Sequence, residues 1–424
     1  MENIENKNTS IIGCACCDQI VNAQIGEGEI HCCTKCDMPI VRVEKNPYLM
    51  PVLYSLTALL ILIVVTFTYF MNINLFSVSE HLTLPNMMDT LLHRDYGFLT
   101  GIMFVFVFAT PLFFLIFLLY VFGAIIEQRK RKFLLVFARH LCHLKNWLMV
   151  DIFAVSSLVA LVKIKVYAEV EFGIAFYALF IYAILLIRIS QAISPYWLFL
   201  QIAKIDNRNI DIDTSNCDEN FNNCRLCSFR QPENLSHCKL CGSKIEHRNR
   251  HSLKLSTAFL LAAIIFYFPS NLLTMMISSD PQNVVISKIL DGVFTLWNNH
   301  DYFVAIIIFT ASVAIPLFKI ISMIILILSA KFGFPKFGNC TVCSAKSLSK
   351  LHHIIEIIGR WSMIDIFVII MLMSAFATPV AKVTPGAASI YFTLVVLLTM
   401  LSTHFFDTRL LWDKERNIKE NSNG

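Results

Sequence analysis

The stretch "NWLMVDIF" (residues 146–153) returns as "RWSMIDIF" (360–367). Trp147 and Trp361, Met149 and Met363, Asp151 and Asp365, and Phe153 and Phe367 match without a gap. Upstream, "TPLFFL" (110–115) matches "IPLFKI" (315–320), which aligns Pro111 with Pro316. Each copy follows a pair of Cys-x-x-Cys elements and a long apolar run. The chain therefore reads as two tandem modules, about 1–205 and 206–424.

Composition sets the class. Of 424 residues, 56% are hydrophobic and 15% are charged, against about 25% charged in a soluble domain. Mean hydropathy is +0.63. This is the composition of a polytopic membrane protein. In such a chain the location of the positive charges matters more than their sum, so the net charge of +5 does not point to a nucleic-acid partner. The N-terminal "MENIENKNTS" is polar and does not read as a secretory signal peptide.

A helix needs about 20 apolar residues to cross the hydrocarbon core. Eight stretches qualify, near 49–70, 99–122, 147–166, 172–198, 253–277, 302–329, 361–381 and 387–407. Segment 123–146 carries Arg129, Lys130, Arg131, Lys132, Arg139 and Lys145, and 330–360 carries Lys331, Lys336, Lys346, Lys350 and Arg360. Segments 71–98 and 278–301 offer only Arg94 and Lys288. The positive-inside rule places both termini, the cysteine elements and the basic loops in the cytoplasm. An even number of spans per module keeps both copies in one orientation, a parallel repeat.

Cys14, Cys17, Cys33 and Cys36 give C-x₂-C-x₁₅-C-x₂-C, and Cys224, Cys227, Cys238 and Cys241 give C-x₂-C-x₁₀-C-x₂-C. Four thiolates on two short knuckles suit tetrahedral Zn²⁺, and a closed four-cysteine site leaves no open position for catalysis. Two structural zinc ions are expected. Cys16, Cys32 and His31 allow the first ligand set to shift register by one residue. Cys340 and Cys343 form a third pair without a partner pair: a redox pair, half of an intermolecular site, or idle thiols. Cys142 and Cys217 also lack partners.

Charges inside spans are costly, by about 2.5–3.5 kcal/mol on insertion scales, and tend to mark pathways. Lys319 and Asp365 are expected in the cytoplasmic half at similar depth, where they can pair. Ser322 and Ser362 lie three residues from each, on the charged faces. Module one keeps Asp151 but has Phe114 at the position of Lys319. Lys163, Arg188, Lys382 and His404 fall nearer to span ends, where they anchor helices, and Pro111 and Pro316 read as packing kinks. The sequence holds no G-x-x-x-x-G-K-[ST], H-E-x-x-H or G-x-S-x-G motif, and no outward loop is long enough for a catalytic domain. An enzyme is not expected.

The cysteine elements, "YFPSNLLTMM" (267–276), "ILDGVFTLW" (289–297), "ASVAIPLFKI" (311–320), "IIGRWSMIDIFVI" (357–369) and "LTMLSTHFFDTRLLWD" (398–413) together resemble the paraquat-inducible protein A family. The resemblance covers both modules, most strongly the second. It implies an inner-membrane protein of a Gram-negative bacterium that works beside a periplasmic MCE-domain tunnel protein and moves phospholipid between inner and outer membranes. It also implies that polar residues of the second module serve transport; by position these are Ser312, Lys319, Ser362, Asp365 and Thr399. Thr408 departs from the Pro often found there, and Cys340/Cys343 is not a family feature.

The predicted architecture is an all-α polytopic membrane protein. Two tandem parallel modules of four transmembrane helices (47–205 and 251–424) are each preceded by a cytoplasmic zinc ribbon (1–46 and 206–250). The alternatives to lipid transport are a membrane thiol-redox protein and an anchor that only holds the tunnel protein.

Overall fold

The computed structural model describes residues 9–423 except 25, 76–77, 166–168, 209–220, 233–234, 246–247, 249–250, 280–283, 299, 301, 334–335, 338–339, 342–343 and 377–381. Cys217 and Cys343 lie outside the described residues.

Two short hairpins open the chain, β1 (Thr9–Gly13) with β2 (Ile20–Gln24) and β3 (Ile30–Cys32) with β4 (Pro39–Arg42). The uninterrupted apolar run that follows forms α1 (Leu49–Phe67). Beyond it, "MNINL" alternates apolar and polar residues as β5 (Met71–Leu75) and pairs with "VSEHL", β6 (Val78–Leu82). Helix α2 (Leu84–His93) starts on Thr83, whose hydroxyl accepts from the Asn86 N–H at 3.2 Å.

The next span is one long helix in three parts: α3 (Gly97–Met103), a π-helical turn (Phe104–Ala109) and α4 (Thr110–Ile126). Pro111 has no N–H to donate backwards, and the wider π turn lies directly ahead of it. Then come α5 (Leu134–Leu144), a 3-10 turn at Lys145–Trp147, α6 (Val150–Ile164), β7 (Glu169–Phe172), α7 (Ile174–Ala192) and α8 (Pro195–Ile205). Strand β7 joins the outer side of β5.

The second half repeats this order. A hairpin of β8 (Phe221–Asn223) and β9 (Arg230–Pro232) precedes α9 (Ser252–Leu272), β10 (Met276–Ser279), β11 (Val284–Ser287) and α10 (Ile289–Asn298). Helix α11 (Tyr302–Phe309), a second π turn (Thr310–Ala314) and α12 (Ile315–Phe332) follow, with Pro316 again just past the π turn. The two-residue strands β12 (Lys336–Phe337) and β13 (Cys340–Thr341) pair before α13 (Ala345–Trp361). The chain closes with α14 (Ile364–Ala375), β14 (Lys382–Pro385), α15 (Ala387–Phe405) and α16 (Arg409–Asn423). Strand orders β6-β5-β7 and β11-β10-β14 correspond strand for strand.

Seven helical stretches among the described residues are long and apolar enough to cross a membrane. The expected span near 361–381 is not one of them. Helix α14 has 12 residues, a rise of about 18 Å against a hydrocarbon core of about 30 Å. All of its residues are buried. It packs on α6, where the matched Phe153 and Phe367 meet edge to face at 5.4 Å. The repeated motif thus supplies one contact between the halves. The expectation of an all-α chain is also corrected: the loops 71–82 and 276–287 pair into antiparallel sheets at the end away from the cysteine elements.

Each sheet meets its following span at a glycine. The Gly173 N–H donates to Phe70 O at 3.0 Å, and the Gly386 N–H to Met275 O at 2.9 Å. A Cβ at Gly173 would lie 2.0 Å from Tyr69 O, and one at Gly386 1.9 Å from Thr274 O. The obstacle is backbone, which cannot swing aside. Gly386→Ala is expected to cost about 1–3 kcal/mol and to lower the thermal midpoint of the detergent-solubilised protein. An unchanged midpoint would show that this junction yields freely.

Candidate functional site

Two groups of four cysteines, Cys14/Cys17/Cys33/Cys36 and Cys224/Cys227/Cys238/Cys241, are buried with their sulfurs all within 4.8 Å of one another. The Cys14–Cys36 and Cys17–Cys33 sulfurs are 3.5 Å apart, Cys224–Cys241 3.5 Å and Cys227–Cys238 3.6 Å. A disulfide is about 2.05 Å. The edge of a sulfur tetrahedron around a metal with bonds of about 2.3 Å is about 3.8 Å. Both groups could hold a metal ion.

All four knuckles share one backbone. The first cysteine's N–H donates to the carbonyl five residues on, at 2.8–2.9 Å (Gln19, Met38, Phe229 and Ser243). Its carbonyl accepts from the residue four on, at 2.8–3.0 Å, and that residue has positive φ: Asp18, Asp37, Ser228 and Gly242. This geometry resolves the register in the first element. Cys16 is half-buried and Cys32 is exposed, so neither belongs to the ligand set.

The cysteine elements dock crosswise. The first group shares its core with Ala345 and Leu348 of α13 and Leu411 and Trp412 of α16, in the second half. There Asp37 bridges Lys346 at 2.9 Å and Lys350 at 3.3 Å, Cys16 O accepts from Thr408 Oγ1 at 3.4 Å, and the Lys35 ammonium sits 4.7 Å from the Trp412 ring centroid. The Lys346 and Lys350 ammonium groups hold the Asp37 carboxyl below the usual range.

The second group shares its core with Leu134, Leu141 and Cys142 of α5, in the first half. The Arg139 guanidinium donates to Gly242 O at 3.2 Å, while Arg225 reaches back to Phe406 O at 3.0 Å. The elements also touch each other. The Gly13 N–H donates to Ser228 O at 3.0 Å, and Asp18 accepts from Asn223 at 3.3 Å and pairs with Arg248 at 2.7 Å.

A second assembly is a buried polar seam in the second half. Ser312, on the π turn, donates its hydroxyl to Asp365 at the start of α14. Lys319 lies two turns further along α12, about 10 Å by helix rise; it is 1% exposed and donates to Gly359 O at 3.3 Å. The pairing of Lys319 with Asp365 that the sequence allowed is therefore replaced by separate partners. The reason is register: Ser312, not Lys319, is the α12-side group level with Asp365. Thr399 is buried in α15 and donates to Val396 O at 2.9 Å. Ser362 is buried at the end of α13, and its hydroxyl has no partner among the described residues.

Ser322 of α12, named from the sequence, is buried here too, but sequence reading missed the rest of the seam: Ser329 of α12 and Ser389, Thr393, Ser402 and Thr403 of α15 are all buried. Ser256 and Ser402 exchange hydroxyl bonds with each other's carbonyls at 3.0 and 2.9 Å, locking α9 to α15. The signal was the four-residue steps Ser389–Thr393 and Thr399–Thr403, with Ser402 three past Thr399, which put each set on one helix face. The matching positions of the first half lack this chemistry. At the positions matching Ser312, Lys319, Ser322 and Ser329, α4 and its π turn have Val107, Phe114, Phe117 and Ala124. Counting from Gly173 and Gly386, Leu186 stands opposite Thr399.

With this geometry in hand, comparison with known proteins is direct. A family model described as "Paraquat-inducible protein A" matches residues 50–203 and 253–415. The chain is 31% identical over 407 residues, 95% of each chain, to the "Intermembrane transport protein PqiA" of Escherichia coli (strain K12). It is 32% identical over 297 residues to the "Lipophilic envelope-spanning tunnel protein A" of the same strain, covering 69% of this chain and 65% of that one. To a "Probable intermembrane transport protein" of Haemophilus influenzae it is 28% identical over 331 residues, 76% of each. These names denote transport proteins, not enzymes. No solved structure matches the chain.

Proposed function

The chain belongs to the paraquat-inducible protein A family, and from that premise we propose that it is an inner-membrane subunit of an MCE-type phospholipid transport system. It would pass lipid to or from a periplasmic tunnel protein, with both termini in the cytoplasm. The observation that carries the reading is the asymmetry of the two halves. Helices α12 and α15 bury Ser, Thr and Lys where the equivalent α4 and α7 bury almost only apolar side chains. A cation sealed between helices, as Lys319 is, is costly to bury, and such groups tend to mark a path. In this reading Ser312, Lys319, Ser362, Asp365 and Thr399 line the route that a lipid headgroup takes. The corresponding element order of the halves supports a duplicated, parallel four-span module, with α14 and α6 as its short inner helices.

The two cysteine groups are read as structural Zn²⁺ sites. Residues Cys14, Cys17, Cys33 and Cys36 would hold one ion and Cys224, Cys227, Cys238 and Cys241 the other. Four buried thiolates with no open position give the metal a structural role. Burial of all eight sulfurs also weighs against the thiol-redox alternative, which needs an accessible sulfur.

Affinity purification from native membranes in mild detergent, with mass spectrometry of proteins and lipids, tests the assignment. An MCE-domain protein and phospholipid are expected in the eluate. Redox enzymes or quinone in their place would overturn it.

A further inference from the structure

A cleft of about 30 Å³ opens in the first half between α6 and the last turns of α7. Lys145, Asp151, Ser190 and Arg360 supply its polar lining, and Leu186 and Ile187 its apolar wall. Three of its features point to a ligand. Its charges are two cations and one carboxylate on separate elements: Lys145 after α5, Asp151 in the first turn of α6, and Arg360 near the end of α13. Arg360 belongs to the other half, and among the described residues its guanidinium donates no hydrogen bond, so its donors are free for an anion. The Lys145 ammonium is oriented by one bond, to Ile193 O at 3.1 Å, which leaves two N–H groups to donate.

Position supplies the second argument. The Ile193 carbonyl lies just past the end of α7, so Lys145 sits at the edge of that span, on the side that carries Arg129 to Lys132. Polar headgroups occupy that level in a bilayer. At the rim of the cleft, Ile184 and Ile187 of α7 are exposed, the face an acyl chain would follow. Asp151 is also the first-half counterpart of Asp365, and Leu186 that of Thr399. Two of the residues lining the cleft thus stand at first-half positions equivalent to residues of the seam.

We propose that this cleft binds the headgroup of a zwitterionic phospholipid. Arg360 and Lys145 hold the phosphate, and Asp151 holds the ammonium. A group with one phosphate and one ammonium satisfies all three charges. A lipid with a neutral polyol beyond its phosphate brings no cation to Asp151, and neither does inorganic phosphate. The proposal goes beyond the transport reading, because it needs only a membrane-embedded chain.

The test uses the full-length protein in nanodiscs of equal phosphatidylethanolamine and phosphatidylglycerol, followed by native mass spectrometry of retained lipids. Wild type is expected to retain phosphatidylethanolamine in preference. Asp151→Asn should abolish the preference, and Lys145→Gln or Arg360→Gln should lower retention of both lipids by about threefold, the effect of losing one partly exposed charge contact. Arg360 also faces Asp151 across the halves, so its variant can unfold; Lys145→Gln then decides alone. Retention of phosphatidylglycerol first, or equal retention by all variants, would overturn the proposal. Displacement of both lipids by millimolar inorganic phosphate, with Asp151→Asn indistinguishable from wild type, would also overturn it and leave a plain anion site. Lys319→Met serves as the control for the transport reading: it is expected to keep the phosphatidylethanolamine preference even where transport fails.

Discussion

Cys36→Ser is expected to loosen the half of the protein to which the first cysteine element does not belong in sequence. That element rests on α13 and α16 through Leu348, Trp412 and the Asp37–Lys346 bridge. Binding of structural zinc supplies about 10–16 kcal/mol of apparent folding energy in small peptides. An element this small has no core of its own to fall back on. Removing one thiolate should therefore unfold it and uncover the ends of α13 and α16. Hydrogen exchange should rise there, while α1, which follows the element in the chain, should stay protected. Cys241→Ser should raise exchange in α5 of the first half, against which Cys241 is packed. Abundance should fall several-fold in both variants, since about 1–2 kcal/mol is enough for that. Exchange confined to each element's own half would refute the crosswise docking. Normal abundance with lost transport would instead identify a regulatory metal.

The second large effect is on the seam. Lys319→Met and Asp365→Asn are each expected to reduce lipid transport by about tenfold or more, the effect of removing ~1.4 kcal/mol of preference between transport states. Both variants should reach normal abundance. Methionine fills the space of the Lys319 side chain without a buried charge, a replacement that is often neutral or stabilising. Asparagine at 365 keeps a carbonyl oxygen to accept the Ser312 hydroxyl, so it removes charge and leaves the hydrogen bond. Ser312→Ala does the reverse. If Asp365→Asn transports normally while Ser312→Ala does not, the seam works through hydrogen bonding and not through charge. Normal transport in Lys319→Met and Asp365→Asn together would end the assignment. Phe114, at the first-half position of Lys319, gives the control: Phe114→Leu should leave transport intact.

The residues fixed by local chemistry were legible in the sequence. Cys-x-x-Cys pairs close their own knuckles through bonds four and five residues away, so spacing shows the second ligand set directly, while the register of the first, with Cys16 and Cys32 alongside, needed the fold. The apolar runs declare membrane-crossing helices because their backbone groups must bond within the segment. The duplication shows as matched Trp, Met, Asp and Phe.

Tertiary structure decided what depends on contacts across the chain. Hydropathy cannot distinguish a lipid-facing helix from one buried in protein, since both are apolar, so only the packing shows that α14 is a short helix enclosed on every side. Lys319 and Asp365 both looked available to pair, and only the packing of α12 on α13 and α14 gave one to Gly359 and the other to Ser312. Chain order placed each cysteine element beside the helices that follow it. The polar contacts of Asp37 and Arg139 place them on the opposite halves, because docking follows complementary surface and not sequence adjacency.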